Sequence, residues 1–198
     1  MKPQLWTPRP VEETVDVYRD WAETYDADVA ERGYATPGRI AETLASVLSP
    51  TAPILDFGCG TGISGAALRQ AGFTTIDGTD ITDAMVDLAR PKSLYRKLWV
   101  GEPGAVPAEP GTYDAIVAAG VVSLGAAPPE TLGDLISAVA PGALIILSFN
   151  DPTLEDGSYD AYLASRIGDG SVEQVSRAHG PHLADMEMGS DVILLRRL

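Results

Sequence analysis

Apolar side chains at Val15, Tyr18, Ala22, Tyr25 and Val29 recur at steps of three and four through residues 11–31, so one helical face carries them all. A second stripe, Ile40, Leu44 and Val47, follows Thr36 and Pro37, a capping residue and a first-turn proline, and stops near Ser49 and Pro50. Beyond that point the period changes to short apolar runs alternating with helical stretches. Strands are predicted at 53–57, 74–79, 97–101, 113–119 and 143–149, and helices at 62–70, 82–90, 129–139 and 159–166. Gly72 stops the first of these helices, Thr82 caps the second and Pro91 ends it. Such alternation implies right-handed crossovers and a parallel sheet covered on both faces. The tail departs from it, because strands at 172–178 and 191–197 are joined by a loop too short for a crossover helix. The predicted fold is α/β: a doubly wound, mostly parallel sheet with an antiparallel C-terminal strand pair.

Length and charge narrow the picture. The 198 residues fit one domain with a sizeable core, residues 1–50 forming an N-terminal helical segment and 51–198 the core. Acidic residues number 28 against 14 basic, a formal charge of −14 that repels phosphate backbones and disfavours a nucleic-acid partner. Cys59 is the only cysteine, which excludes an intrachain disulfide and fits a reducing compartment. The opening MKPQLWTPRP lacks a signal-peptide core, and the longest apolar stretch, 115–127, is too short to span a bilayer. Cytoplasm is the expected compartment, with no membrane association and no metal signature. Nothing in the sequence sets an oligomeric state.

Candidate chemistry concentrates in ILDFGCGTG, residues 54–62, where a buried strand meets a helix. Gly58, Gly60 and Gly62 let the backbone turn sharply and approach a ligand, while the next helix offers free N–H groups to an anion. Asp56 precedes the loop, and Asp80 closes the second strand, where a carboxylate can accept from both hydroxyls of a ribose. Asp77 competes for that role. Together these residues point to a nucleoside-containing cofactor. Gly60, Gly62 and Gly65 also satisfy G-x-G-x-x-G with Asp80 about twenty residues on, so an NAD site stays open on spacing alone. The two leading helices and the antiparallel ending count against it.

Four segments resemble class I S-adenosylmethionine-dependent methyltransferases: ILDFGCGTG, GTDIT with Met85, TYDAIVAAGVVSL at 112–124 and APGALIILSFN at 140–150. YRDWAETYDADVAERGY at 18–34 and GFTTIDGTDITDAMVDLAR at 72–90 are similar to a narrower group, the small methyltransferase-like proteins related to the Williams–Beuren region member. The resemblance implies a Rossmann-like fold and S-adenosylmethionine as cofactor. It places Asp56, Gly58, Cys59 and Gly60 at the methionine part, Asp80 at the ribose, and Ile81 and Met85 at the adenine. Glu102 would face the adenine amino group, and Ala119 and Gly120 the floor near the sulfonium.

The implied reaction is in-line methyl transfer to a small-molecule acceptor, which needs a base only if the acceptor must first lose a proton. His179 and His182, in HGPHL, are the candidate catalytic bases, expected on a loop after the sixth strand near the substrate mouth. Tyr18, Trp21 and Tyr25 are expected either as a lid over the cofactor or as an ordinary helix face packed on the sheet. An NAD-dependent oxidoreductase and a non-catalytic cofactor-binding subunit are the alternative functions.

Overall fold

The structure is a computed structural model describing residues 6–198. The first five residues of the stretch read for a signal peptide lie outside it. Seven strands make one sheet: β1 (Ile54–Phe57), β2 (Ile76–Asp80), β3 (Leu98–Val100), β4 (Ala115–Ala118), β5 (Leu144–Asn150), β6 (Val172–Leu183) and β7 (Met188–Arg197). Their order is β3-β2-β1-β4-β5-β7-β6, with β1 to β5 parallel and β7 antiparallel to both neighbours. The strand order reverses at β1, beside β4, which opens a crevice at the carboxyl ends of those two strands.

The helices are α1 (Val11–Glu31), α2 (Thr36–Ala45), α3 (Ile63–Gln70), α4 (Asp83–Ala89), α5 (Thr131–Ser137), α6 (Asp151–Asp156) and α7 (Ser158–Gly168). Alternate side chains of β4 feed two cores: Ile116 and Ala118 join Leu132, Leu135 and Leu163 on one face, while Ala115 and Val117 join Ile40, Leu44 and Leu68 on the other. Both faces are therefore covered, as a parallel sheet requires. Each fully buried aliphatic side chain contributes about 1.5–3 kcal/mol, so the two cores outweigh any surface interaction in holding the sheet.

The fold class is as the pattern implied, with five local differences. β6 runs on to Leu183, taking HGPHL out of a loop and into an edge strand. β7 begins at Met188, after a 3₁₀ turn at Ala184–Met186. α6 was not expected; the Asn150 side chain accepts from Thr153 N at 3.1 Å and Pro152 sits in its first turn, a start signal hidden against the end of β5. Pro91 lies inside a 3₁₀ turn, Arg90–Lys92, that prolongs α4 by one turn, and Thr36 spends its hydroxyl on His182 and Ser190 instead of capping α2. Among the described residues no helix is long and apolar enough to cross a membrane.

Candidate functional site

The loop after β1 is shaped by three glycines at positive φ, Gly58 (69°), Gly60 (53°) and Gly62 (97°). At Gly58 a Cβ would also overlap Val121, so the loop lies tight against the segment after β4. Its backbone is tied to β2, with Gly58 N and Cys59 N both donating to Thr79 O at 2.8 and 3.0 Å. Asp80 ties together the loops after β1 and β2: Oδ2 accepts from Gly60 N and Oδ1 from Thr82 N, each at 2.8 Å. Burial raises its pKa against those bonds and further ones from the Thr82 side chain and Ile81 N. Asp77 is excluded from that role, being paired with Arg96 at 2.8 Å and accepting from Tyr113 at 3.0 Å. Burial opposes its charge, but these bonds together hold its carboxyl below the usual range.

Asp56 lies fully buried under the loop. Ser64 Oγ and Tyr95 Oη donate to its Oδ2 at 2.7 Å each, whereas Oδ1 has no partner. Burial dominates these bonds and pushes the carboxyl up to about 6. The Tyr95 ring is wedged between α3 and β2, where a Cβ on Gly65 or Gly78 would overlap it. Gly65, the third glycine of the dinucleotide spacing, is thus explained by close packing on Tyr95.

A cavity of about 710 Å³ opens over the carboxyl ends of the strands. Asp80, Ile81, Met85, Glu102 and Ala119 line it from the sheet side, and Tyr18 and Tyr25 from α1. Gly58 and Gly60 also line it, while Cys59 faces a small adjoining chamber and Asp56 reaches neither directly. Trp21 lines neither cavity; its indole donates to Asp28 at 2.6 Å and its ring packs edge-on to Tyr25, 4.7 Å between centroids. Two of the three expected lid aromatics therefore face the cavity, and the third buttresses them.

Neither histidine faces it, contrary to expectation. Because HGPHL belongs to β6, at the far edge of the sheet, His179 is held from β7 and His182 from the start of α2. His182 is buried, shares a hydrogen bond with Thr36 Oγ1 at 2.8 Å, and is pushed down to about 4 by desolvation. His179 is bonded to Asp191 at 2.8 Å, with its other nitrogen 3.8 Å from Asp151.

Several lining residues had no local signal in the sequence. The far half of the cavity is made by Leu124 to Glu130, Asp134, Asp156, Ser158 and Tyr159, drawn from the loop after β4 and from α5, α6 and α7. Tyr159 is anchored by donating to Ala127 O at 3.2 Å. Tyr34, 5.2 Å from the His182 ring, closes the small chamber. Among the described residues, no group of three His, Cys, Asp or Glu could hold a metal ion.

The sheet order separates the two cofactor classes left open above. An all-parallel dinucleotide fold runs 3-2-1-4-5-6, whereas here an antiparallel β7 is inserted between β5 and β6. The family described as a methyltransferase domain matches residues 29–183. The chain belongs to the class I S-adenosylmethionine-dependent methyltransferases. It is 35% identical over 136 residues to methyltransferase-like protein 27 of Homo sapiens, covering 66% of this chain and 55% of the relative. It is 36% identical over 86 residues to the 18S rRNA (guanine-N(7))-methyltransferase of Bos taurus, covering 43% and 30% respectively. The magnesium protoporphyrin IX methyltransferase of Synechocystis PCC 6803, solved with bound S-adenosylhomocysteine, superposes with a TM-score of 0.65 at 19% identity over 93% of this chain and 100% of that one. The chain spans about half the length of the human relative it matches.

Proposed function

We propose that this methyltransferase moves the methyl group of S-adenosylmethionine to a small acceptor bound in the far half of the cavity. One observation carries the reading: a single cavity of about 710 Å³ runs from Asp80 and Glu102 past the glycine loop to Tyr159. That volume is within the range of ligand sites, ~300–1,000 Å³. The fit is supported by a glycine cradle that side chains would fill and by the Asp80 carboxylate lining the cavity beside it. In this reading Asp80 holds the ribose hydroxyls, Ile81 and Met85 flank the adenine, and Glu102 accepts from its amino group. Residues 1–50 act as a lid through Tyr18 and Tyr25.

When bound, the sulfonium supplies an electrophilic methyl group without help from the protein. The chain's own task is to orient the nucleophile and keep water out. Leu124, Ala127, Pro128 and Pro129 offer an apolar surface for the acceptor body, rimmed by Glu130, Asp134 and Asp156. Arg9 is the cation among the described lining residues. Carboxylates around an apolar surface disfavour an anionic acceptor and favour a neutral or amine nucleophile, whose proton they can take. The bovine relative is named for rRNA, but a chain of formal charge −14 is a poor partner for phosphate on its own.

Calorimetry with S-adenosylhomocysteine tests the cofactor half of the reading: absence of binding at high micromolar ligand overturns it. Incubation with methyl-labelled cofactor and separate metabolite, rRNA and protein fractions tests the rest. Label in a metabolite supports the reading, and label confined to RNA or protein overturns the small acceptor.

A further inference from the structure

Glu102 follows β3 and Tyr159 follows β5, strands on opposite sides of β1 in the sheet, so the two mark opposite ends of the large cavity. Tyr159, in the first turn of α7, is 5% exposed. It belongs at once to the core cluster around Leu132, Leu135 and Leu163 and to the cavity lining. Its ring meets Phe149 of β5 edge-on, with centroids 5.8 Å apart, and its hydroxyl donates to Ala127 O at 3.2 Å. Burial, and then the carboxylates of Asp156 and Glu130, push the phenol up to about 12, so this donor keeps its proton.

The loop between β4 and α5 supplies the adjoining wall, and it is held by the helices that carry Tyr159. Leu124 N donates to Thr153 Oγ1 of α6 at 3.0 Å, and Thr153 Oγ1 donates in turn to Asn150 Oδ1 at 2.6 Å. Ala127 O takes Ser123 N at 3.2 Å beside the Tyr159 hydroxyl, which occupies both of its lone pairs. The two helices are fixed from behind. Gly189 N donates to Asp151 Oδ2 at 2.6 Å, Arg177 pairs with Asp160 at 2.8 Å, and a Cβ on Gly133 of α5 would overlap the Tyr162 hydroxyl of α7. Walls tied to each other and to the sheet edge yield to a bulky guest only by breaking those bonds, so this end selects by girth. A cavity of about 710 Å³ is of the size that holds one drug-sized molecule, so a nucleoside cofactor leaves room for only a small guest beside it. The end offers that guest apolar surface, Leu124, Ala127, Pro128 and the Tyr159 ring, with two carboxylates near the phenol, a setting for an ammonium group on an apolar body.

We propose that Tyr159 is the specificity-determining residue of the acceptor end: its ring limits the acceptor to an amine on an apolar body one ring or chain wide, and its hydroxyl positions the loop that forms the second wall. This rests on the small-acceptor reading above. Tyr159 sorts acceptors by shape and takes no part in proton transfer.

The test measures two probes, benzylamine and 1-naphthylmethylamine, by calorimetry on the chain saturated with S-adenosylhomocysteine. The native complex is expected to bind benzylamine about tenfold or more tightly than the larger amine. Tyr159→Ala is expected to reverse that order, because the vacated ring leaves an apolar space for the second ring of the larger probe. Tyr159→Phe keeps the wall and loses the tie, so it should preserve the order while weakening both probes about twofold to tenfold, the worth of one hydrogen bond. A residue with a merely structural role would lower both affinities in Tyr159→Ala and leave their order as it was, and that result overturns the proposal. So does a native complex that prefers the larger probe or binds neither. Tyr159→Phe indistinguishable from the native chain overturns the positioning of the loop. If Tyr159→Ala does not fold, Tyr159→Leu, which shortens the same wall, decides by the same order. A native chain that does not bind S-adenosylhomocysteine overturns the cofactor reading, and label confined to RNA or protein in the fractionation above overturns the small acceptor, whereas an unchanged probe order overturns only this inference.

Discussion

Gly58 and Gly60 both adopt positive φ, yet their surroundings differ, and substitution should separate packing from ligand approach. A Cβ at Gly58 would overlap Val121, while one at Gly60 meets nothing within 4 Å. Gly58→Ala is expected to cost ~1–3 kcal/mol of stability through clash and strain. Gly60→Ala should cost about 1–2 kcal/mol, from backbone strain alone, but should abolish cofactor binding because the new methyl enters the cradle. Urea unfolding beside S-adenosylhomocysteine calorimetry reads both, and a Gly60→Ala chain that still binds would remove that residue from the cradle. Two of the buried titrating groups, His182 and Asp56, give opposite pH signatures. His182, lowered from 6.5 to about 4, contributes stability above pH 6.5 that is lost as pH falls toward 4. Asp56, raised from 3.8 to about 6, contributes stability at low pH that is lost as pH rises toward 6. Relative to the native chain, His182→Ala should therefore lose most at pH 7 and Asp56→Asn most at pH 4, with spans of order 3 kcal/mol each by urea titration. At this scale the sequence disclosed residues whose role is local, such as Asp80 at a strand end before Thr82. It could not disclose Tyr34 or Tyr159, whose partners His182 and Ala127 are remote in the chain.

Elements were legible where periodicity persists and obscure where exposure mixes the pattern. The face Val15 to Val29 marks α1 as observed, because a stripe at helical spacing sustained over most of a 21-residue helix has no strand counterpart. β6 was cut short since its middle is exposed and carries Gly180 and Pro181, so neither alternation nor an apolar run marks it. The contact between α3 and β2 was invisible for a different reason: Gly65 and Gly78 are both emptied for Tyr95, which lies outside either element. Gly65→Ala should accordingly destabilise by ~1–3 kcal/mol, and Tyr95→Ala in the same chain should recover part of that loss, a non-additivity that urea unfolding of the four chains detects. α1 is fastened to the core by polar links. Asp26 accepts from Thr61 of the glycine loop and pairs with Lys92, and Arg19 reaches Asp83 at 3.3 Å. Partly exposed pairs of this kind are worth about 0–1 kcal/mol, so Asp26→Asn should barely change the unfolding midpoint. If α1 is the lid, the same change should raise the dissociation rate of S-adenosylhomocysteine in stopped flow, and an unchanged rate would count against the lid.

Across the whole molecule, charge and topology act on the same region. The reversal of strand order at β1 and β4 brings three connections together above the sheet, those after β3, β4 and β5, and carboxylates on them face one cavity. Glu102, Glu130, Asp134 and Asp156 come from these connections, so no single segment of sequence looks like an acidic site, although the total of −14 was plain from composition. A cleft lined by one sign of charge concentrates ligands of the opposite sign, and salt removes the effect as the Debye length contracts. For a cationic amine acceptor, raising ionic strength from about 10 mM to about 150 mM shortens that length from ~30 to ~8 Å, so KM should rise while kcat holds. For an acceptor of the same skeleton carrying a carboxylate, KM should fall over the same range. Turnover measured across such a matched pair decides the matter: if the anionic member is preferred at low salt, the carboxylates do not line the path the acceptor takes, and the acceptor end must be sought elsewhere on the sheet.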